Sequence, residues 1–139
     1  MILKRILLFI FLLSGLFSHS IAQSQKEINS ENQSQLELSK QKMDSVFTAI
    51  LEKYEDSPEF IASLKKAQEA WINFRDVHLE SVYPGKDKRA KYGTVYSSCA
   101  ASLLVKLNNQ RTEQLRMWLE GTEEGDVCAG SVKLSSQLE

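Results

Sequence analysis

Apolar residues recur at helical spacing along three stretches of the chain. The first stretch contains Leu36, Met43, Phe47, Ile50 and Tyr54; the second contains Phe60, Leu64, Ala67, Trp71, Phe74 and His78; the third contains Tyr96, Cys99, Leu103, Leu107, Arg111, Leu115 and Trp118. Steps of three, four or seven residues place each set on one face of an α-helix. The pattern therefore predicts three amphipathic helices.

Helix-breaking residues separate the three stretches. Ser57 suits the cap and Pro58 the first turn of the second helix, and Gly121 suits the end of the third. Residues 83–85 break the second helix, and residues 86–91 form a basic polar loop. No run alternates between apolar and polar residues as a strand would. We therefore predict an all-α protein, an antiparallel three-helix bundle over residues 36–120 followed by a tail, residues 121–139.

The N-terminus has the pattern of a cleaved signal peptide, residues 1–22. Lys4 and Arg5 precede an apolar run, residues 6–17, and small residues lie before a cut after Ala22. The alternative is an uncleaved membrane anchor, but the run is shorter than the roughly 20 residues that span a bilayer. We therefore predict a protein exported to the periplasm or the outside of the cell, without a stable membrane anchor.

The segment that follows, residues 23–35, is polar except for Ile28. Such a segment buries too little apolar surface to offset the entropy lost on ordering, so we predict a flexible arm.

Charge excludes two classes of partner. Lys4 and Arg5 are two of the 17 basic residues, and all 18 acidic residues follow Ala22, so residues 23–139 have a formal charge of −3, against −1 for the whole chain. Nucleic acids and anionic membranes both require concentrated lysine and arginine. Neither is predicted as a partner.

The residues that could carry chemistry are few. His78 lies on the apolar stripe of the second helix, and no neighbouring residues complete a general-base or metal site around it. We interpret it as a packed structural histidine. Residues 123–126 lack the alternating carboxylates of a calcium loop and indicate a solvated acidic turn. No catalytic residue, cofactor or metal is predicted.

Cys99 and Cys128 are the only cysteines. Export favours a disulfide between them over a reactive thiol. Cys99 lies roughly 31 Å from Glu120 along an ideal helix, and the eight residues to Cys128 reach about 28 Å, to which the bridge adds about 5.5 Å. The disulfide therefore closes only if the tail runs back along the third helix.

The middle of the second helix contains the most distinctive stretch, AQEAWINFRD at residues 67–76. Trp71 and Arg75 are four residues apart, so the guanidinium can stack on the indole while Phe74 points inward. The stretch resembles the Q-x-x-W-x-x-[FY]-R-D signature of the lysozyme-inhibitor LprI-like N-terminal domain family. Weaker similarities to the same family occur at residues 43–47, 96–99 and 111–115, so that the resemblance covers about residues 36–120.

The resemblance implies a helical binding module that blocks a lysozyme-type enzyme rather than carrying out a reaction. Its signature positions are Gln68, Trp71, Phe74, Arg75, Asp76, Arg111 and Leu115. We interpret them as residues that hold the bundle together rather than contact a partner. His78 stands where the family commonly has a cysteine, which leaves Cys128 as the partner of Cys99. In the implied register His78 lies near Cys99 and Phe60 near Trp118. The alternative is an envelope structural or interaction module without lysozyme activity; an enzyme is the third hypothesis.

The first testable prediction is export. We expect the mature chain to begin at or near Gln23, because the signal-peptide pattern ends at Ala22. Mass analysis of the N-terminus of protein taken from the native cell envelope checks this, and an intact Met1 would contradict it.

Overall fold

The computed structural model describes the backbone of residues 2–138 and the side chains of residues 24–138. Its helices are α1 (Ile2–Lys53), α2 (Pro58–Val82), α3 (Lys88–Tyr92), α4 (Tyr96–Glu120) and a 3-10 helix, Ser135–Gln137. Between residues 2 and 138 the only extended pairing is an isolated bridge between Thr122 and Leu134. The predicted all-α class is confirmed.

The helix ends follow the residues that break the sequence pattern. Ser57 is the N-cap residue of α2 with Pro58 in the first turn, and Gly121 ends α4 at a φ of 77°. The segment expected to be a basic loop instead contains α3. The Asp87 side chain accepts a hydrogen bond from the Ala90 amide at 2.8 Å, which caps this short helix.

α1 and α4 run side by side in the same direction. Asn32, past the middle of α1, donates a hydrogen bond to Ser98 in the first turn of α4, and further along the Asn108 amide donates to the Ser39 hydroxyl at 3.0 Å. At the far end the Tyr54 hydroxyl donates to the main-chain carbonyl of α4 at residue 118, at 3.1 Å. The position along α4 rises with the position along α1, which is the mark of parallel helices.

α2 runs in the opposite direction to both. At its start the Phe60 ring lies 5.7 Å from the Trp118 ring, centroid to centroid, and in its middle Arg111 donates to Gln68. The Tyr83 ring, just beyond the end of α2, lies 5.3 Å from the Tyr96 ring at the start of α4. The predicted contact between Phe60 and Trp118 is confirmed. The proximity of His78 and Cys99 stays a prediction.

The structure differs from the expected flexible arm, because α1 continues through residues 23–35. Polar side chains in this segment bond along the helix, as Gln25 does to Asn29 at 3.1 Å. The same segment reaches α4, through the hydrogen bond from Asn32 to Ser98. Hydrogen bonds between neighbouring side chains and the contact with α4 thus stabilise this part of α1, which has few apolar residues.

The core lies mainly between α1 and α4. Its buried apolar residues are Met43, Ile50, Tyr54, Leu64, Leu115 and Leu138, with partly buried residues such as Phe60, Trp71 and Trp118 packed around them. α2 contributes one buried apolar residue, Leu64, whereas α4 contributes three, Ala100, Ala101 and Leu115. α1 and α4 therefore hold most of the apolar contact, and α2 covers one side of it.

The tail closes the core by turning across the end of the helices. The Tyr54 hydroxyl accepts a hydrogen bond from the Lys133 amide at 2.9 Å, and the Lys133 ammonium lies 4.7 Å from the Tyr54 ring centroid. The same ammonium bonds the Asp56 carboxylate at 3.0 Å, and this hydrogen bond lowers the pKa of Asp56. Leu138 is buried, and Lys53 donates to its carbonyl. The predicted tail along the third helix was wrong.

Gly121 permits this turn. A Cβ atom at this position would lie 2.8 Å from the main chain of Ser135, and the positive φ adds strain for any other residue. The close approach lets the Ser135 hydroxyl donate to the Glu120 carbonyl at 3.1 Å. The tail is thereby fixed to the last turn of α4.

The predicted signal peptide, residues 1–22, lies outside the residues whose side chains are described. Among the residues whose side chains are described, no helix has the length and apolar character needed to cross a membrane.

We expect Tyr54→Phe to loosen the tail. The substitution leaves the Trp118 carbonyl and the Lys133 amide without their partner, and an unpaired buried polar group costs about 1–3 kcal/mol. Urea denaturation should show a loss of this size, with faster hydrogen exchange at the Lys133 amide. Tyr92→Phe is the control, because its hydroxyl bonds an exposed carbonyl of Pro84. Equal losses in both variants would contradict the role of Tyr54.

Candidate functional site

The distinctive stretch of the sequence, residues 67–76, lies in the middle of α2. Gln68, Trp71 and Arg75 occur three and four residues apart, so they share the face of α2 that meets α1 and α4. Phe74 and Asp76 lie to either side of this face. The signature is therefore divided between the interior and the surface.

Gln68 connects α2 to both other long helices. It is 6% exposed, and its carbonyl oxygen accepts a hydrogen bond from Arg111 Nε at 2.9 Å. Its amide nitrogen lies 3.6 Å from the sulfur of Met43 on α1. Burial lowers the pKa of Arg111, whose guanidinium also donates to Gln114 at 3.3 Å. A buried polar residue that bonds two helices fixes their relative position.

Trp71 and Arg75 form the predicted cation–π pair. The guanidinium carbon of Arg75 lies 5.7 Å from the Trp71 ring centroid. Arg75 also bonds Asp76, with a shortest distance of 2.7 Å, and the two side chains are 19% and 59% exposed. An ion pair with one partner in solvent contributes little to stability. Its effect is to hold the guanidinium against the indole.

Phe74 does not point inward, and that prediction was wrong. Its side chain is 54% exposed, and its ring stacks on His78 at a centroid distance of 5.6 Å. Leu64, Gln68 and Trp71 already fill the side of α2 that meets the core. Phe74 is rotated away from that side, onto the exposed side of the helix.

Leu115 is fully buried, as a signature position in the interior should be. Three polar residues buried between α1 and α4 were missed: Ser39, Asn108 and Thr112. The Thr112 hydroxyl donates to the Asn108 carbonyl at 2.8 Å. The sequence did contain a signal for the burial of Asn108, because this residue stands seven residues before the apolar Leu115 and therefore on the same helix face.

The predicted disulfide between Cys99 and Cys128 is absent, and both thiols are free and exposed. Cys99 lies in the first turn of α4, whereas Cys128 follows the end of that helix. The tail crosses the helix ends at Tyr54 instead of returning along α4. The two cysteines are therefore held at opposite ends of α4.

The described side chains include no group of three or more histidine, cysteine, aspartate or glutamate residues able to hold a metal ion. On the exposed side of the signature lie the aromatic ring of Phe74 and the carboxylate of Asp76, which bonds Arg75. Aromatic and arginine side chains in such a setting are typical of protein–protein contacts.

Comparison with known protein families gives a match over most of the chain. Residues 18–115 match the family model described as Lysozyme inhibitor LprI, and every signature position lies inside this range. No curated protein and no solved structure gives a significant match to the chain.

We expect Gln68 and Arg111 to be energetically coupled. Gln68→Leu removes the acceptor of a partly buried guanidinium and should lower the free energy of unfolding by about 1–3 kcal/mol. Adding Arg111→Met should cost less than the sum of the two single changes. Urea denaturation of the double-mutant cycle measures this, with the exposed Gln110→Leu as control. Additive losses would contradict the coupling.

Proposed function

Because the chain belongs to the LprI family of lysozyme inhibitors, we propose that it is an exported helical binding module that inhibits a lysozyme-type enzyme by covering its active-site cleft. The observation that carries the proposal is the family match over residues 18–115, which includes the whole signature. The protein acts by occupying a surface and not by catalysis.

Export is part of the proposal. Lysozyme acts on cell-wall polymer outside the cytoplasmic membrane, so an inhibitor must reach the periplasm or the cell exterior. The signal-peptide pattern of residues 1–22 supplies the route.

The distribution of charge supports attraction of a cationic enzyme. We define the tail end as the end of the molecule formed by the α1–α2 connection, the last turn of α4 and the tail. Seven exposed acidic residues lie there: Glu55, Asp56, Glu59, Glu120, Glu123, Glu124 and Asp126. Its two lysines are already engaged, Lys53 with the Leu138 carbonyl and Lys133 with Asp56. A surface of one sign accelerates association with an oppositely charged partner.

We assign the covering element to the loop of residues 123–130 at this end. Val127 is 97% exposed near its middle. Asp126 fixes the loop, since its carboxylate accepts hydrogen bonds from the Thr122 hydroxyl at 3.0 Å and the Cys128 amide at 2.9 Å. A loop ordered before binding loses less conformational entropy in the complex. Val127 would enter the cleft while the surrounding carboxylates face the cationic rim.

This loop lies beyond the residues that match the family. The assignment therefore concerns this chain and not the family as a whole. The alternative hypothesis, an envelope structural or interaction module without lysozyme activity, makes the opposite prediction in the experiment that follows.

We expect the mature protein to inhibit at least one lysozyme in a titration, with weaker inhibition at high salt. Changing Glu120, Glu123 and Glu124 together to glutamine should weaken inhibition about tenfold at low salt and much less at high salt, because screening removes the same attraction. Changing Glu27, Glu31 and Glu37 on α1 to glutamine alters the net charge equally and should have little effect.

The possible outcomes separate the parts of the proposal. Failure to inhibit any lysozyme would overturn the function and favour the alternative module. Inhibition that both triple variants weaken equally would retain the function but contradict the assignment to the tail end.

A further inference from the structure

The outer side of α2 carries a row of residues with heptad spacing. Ala67, Ala70, Phe74, Val77 and Ser81 follow one another at steps of three, four, three and four residues, and all are exposed. Phe74 is 54% exposed and Val77 is 60% exposed. We call this row the α2 seam. Alternating steps of three and four are the spacing by which one helix packs against another in a coiled coil.

The core does not use the α2 seam. The buried residues of α2 are Leu64 and Gln68, and Trp71 packs beside them on the inner side. The outer side still has an ordered geometry, because the Phe74 ring is stacked on His78 with an angle of 20° between the planes. The seam is therefore a straight strip of apolar and small side chains on a helix whose inner side packs on the core.

The charges beside the seam are arranged so that it complements itself. Lys66, Asn73 and Glu80 border one edge, seven residues apart, and all three are exposed. The centre of the edge is neutral, one end is positive and the other end is negative. A second copy of the edge running in the opposite direction would place a lysine against a glutamate at each end.

We propose that two copies of the protein pair through their α2 seams in antiparallel orientation, with the two-fold axis near Asn73. Lys66 of each copy then faces Glu80 of the second copy. Phe74 packs against the small side chain of Ala70 of the second copy, so that large and small residues interdigitate. The interface is isologous, as a closed dimer requires.

Glu80 remains available for this contact. Its carboxylate bonds Lys88 of its own chain at 2.6 Å, yet its side chain is 62% exposed, whereas that of Lys88 is 15% exposed. The Glu80 carboxylate therefore faces solvent, whereas the Lys88 ammonium that it bonds lies against the protein. The seam covers about two heptads, roughly 21 Å of helix, so the dimer is weak and depends on concentration.

The α2 seam and the tail end are separate surfaces. α2 begins at the tail end, but the seam occupies its middle and second half. Pairing through the seam leaves the tail loop free, so that a dimer presents two such loops. The inference is independent of the proposed function and can hold without it.

Sedimentation over a range of concentrations tests the pairing. The wild-type mature protein should shift from the mass of one chain toward twice that mass as its concentration rises. Phe74→Ser should raise the dissociation constant at least tenfold without a change in helix content by circular dichroism. Leu38→Ser is the matched control, because Leu38 is also 54% exposed but lies on α1, and it should behave as wild type.

A charge exchange tests the orientation. Lys66→Glu or Glu80→Lys alone should weaken the dimer, since each places like charges opposite one another. The double variant K66E/E80K should restore it. A monomer at all concentrations, or a dimer that Phe74→Ser leaves intact, would overturn the pairing. Failure of the double variant to restore dimerisation would overturn the antiparallel arrangement.

Discussion

The rest of the structure depends on the parallel packing of α1 against α4. Two buried polar residues, Ser39 and Asn108, bond across this contact, and Thr112 bonds back to the Asn108 carbonyl. Because buried polar groups must find partners, sliding one helix along the other would break these bonds at a cost that apolar packing alone would not impose. α2 is left to cover one side, which is why its outer face, including Phe74, can serve another purpose.

The helical spacing of apolar residues was sufficient to predict many of the buried positions. It correctly assigned Met43, Ile50, Leu64 and Leu115 to buried faces, because a helix face with apolar residues at every turn must be covered. The contact of Phe60 with Trp118 came from the register that the family resemblance implies, with His78 at the position of a family cysteine. At the signature, the spacing of Trp71 and Arg75 was enough to predict their stacking. These features depend on residues close in sequence or on one simple helix pairing.

The features that were predicted wrongly depend on partners distant in sequence. Phe74 satisfies the apolar pattern, but the pattern does not state how wide a face the neighbouring helices cover. The polar segment 23–35 contains few residues that favour burial, and its helix is supported by α4, which the local composition does not reveal. The disulfide was expected because export favours oxidation, no third cysteine competes and the reach of the chain is just sufficient; the bonds of Lys133 to Tyr54 direct the tail elsewhere. A disulfide that the length of the chain permits does not form where other contacts of the tail hold the two cysteines apart.

The parallel arrangement of α1 and α4 has a consequence for the order of folding. Ser39 and Asn108 are 69 residues apart, so bringing them together costs about 4 kcal/mol in the logarithmic term for loop closure. Met43 and Gln68 are only 25 residues apart, and the corresponding term is about 3 kcal/mol. Docking α2 on α1 first shortens the loop that α4 must then close. The long helix with the fewest buried apolar residues thus reduces the length of chain that must be closed between α1 and α4.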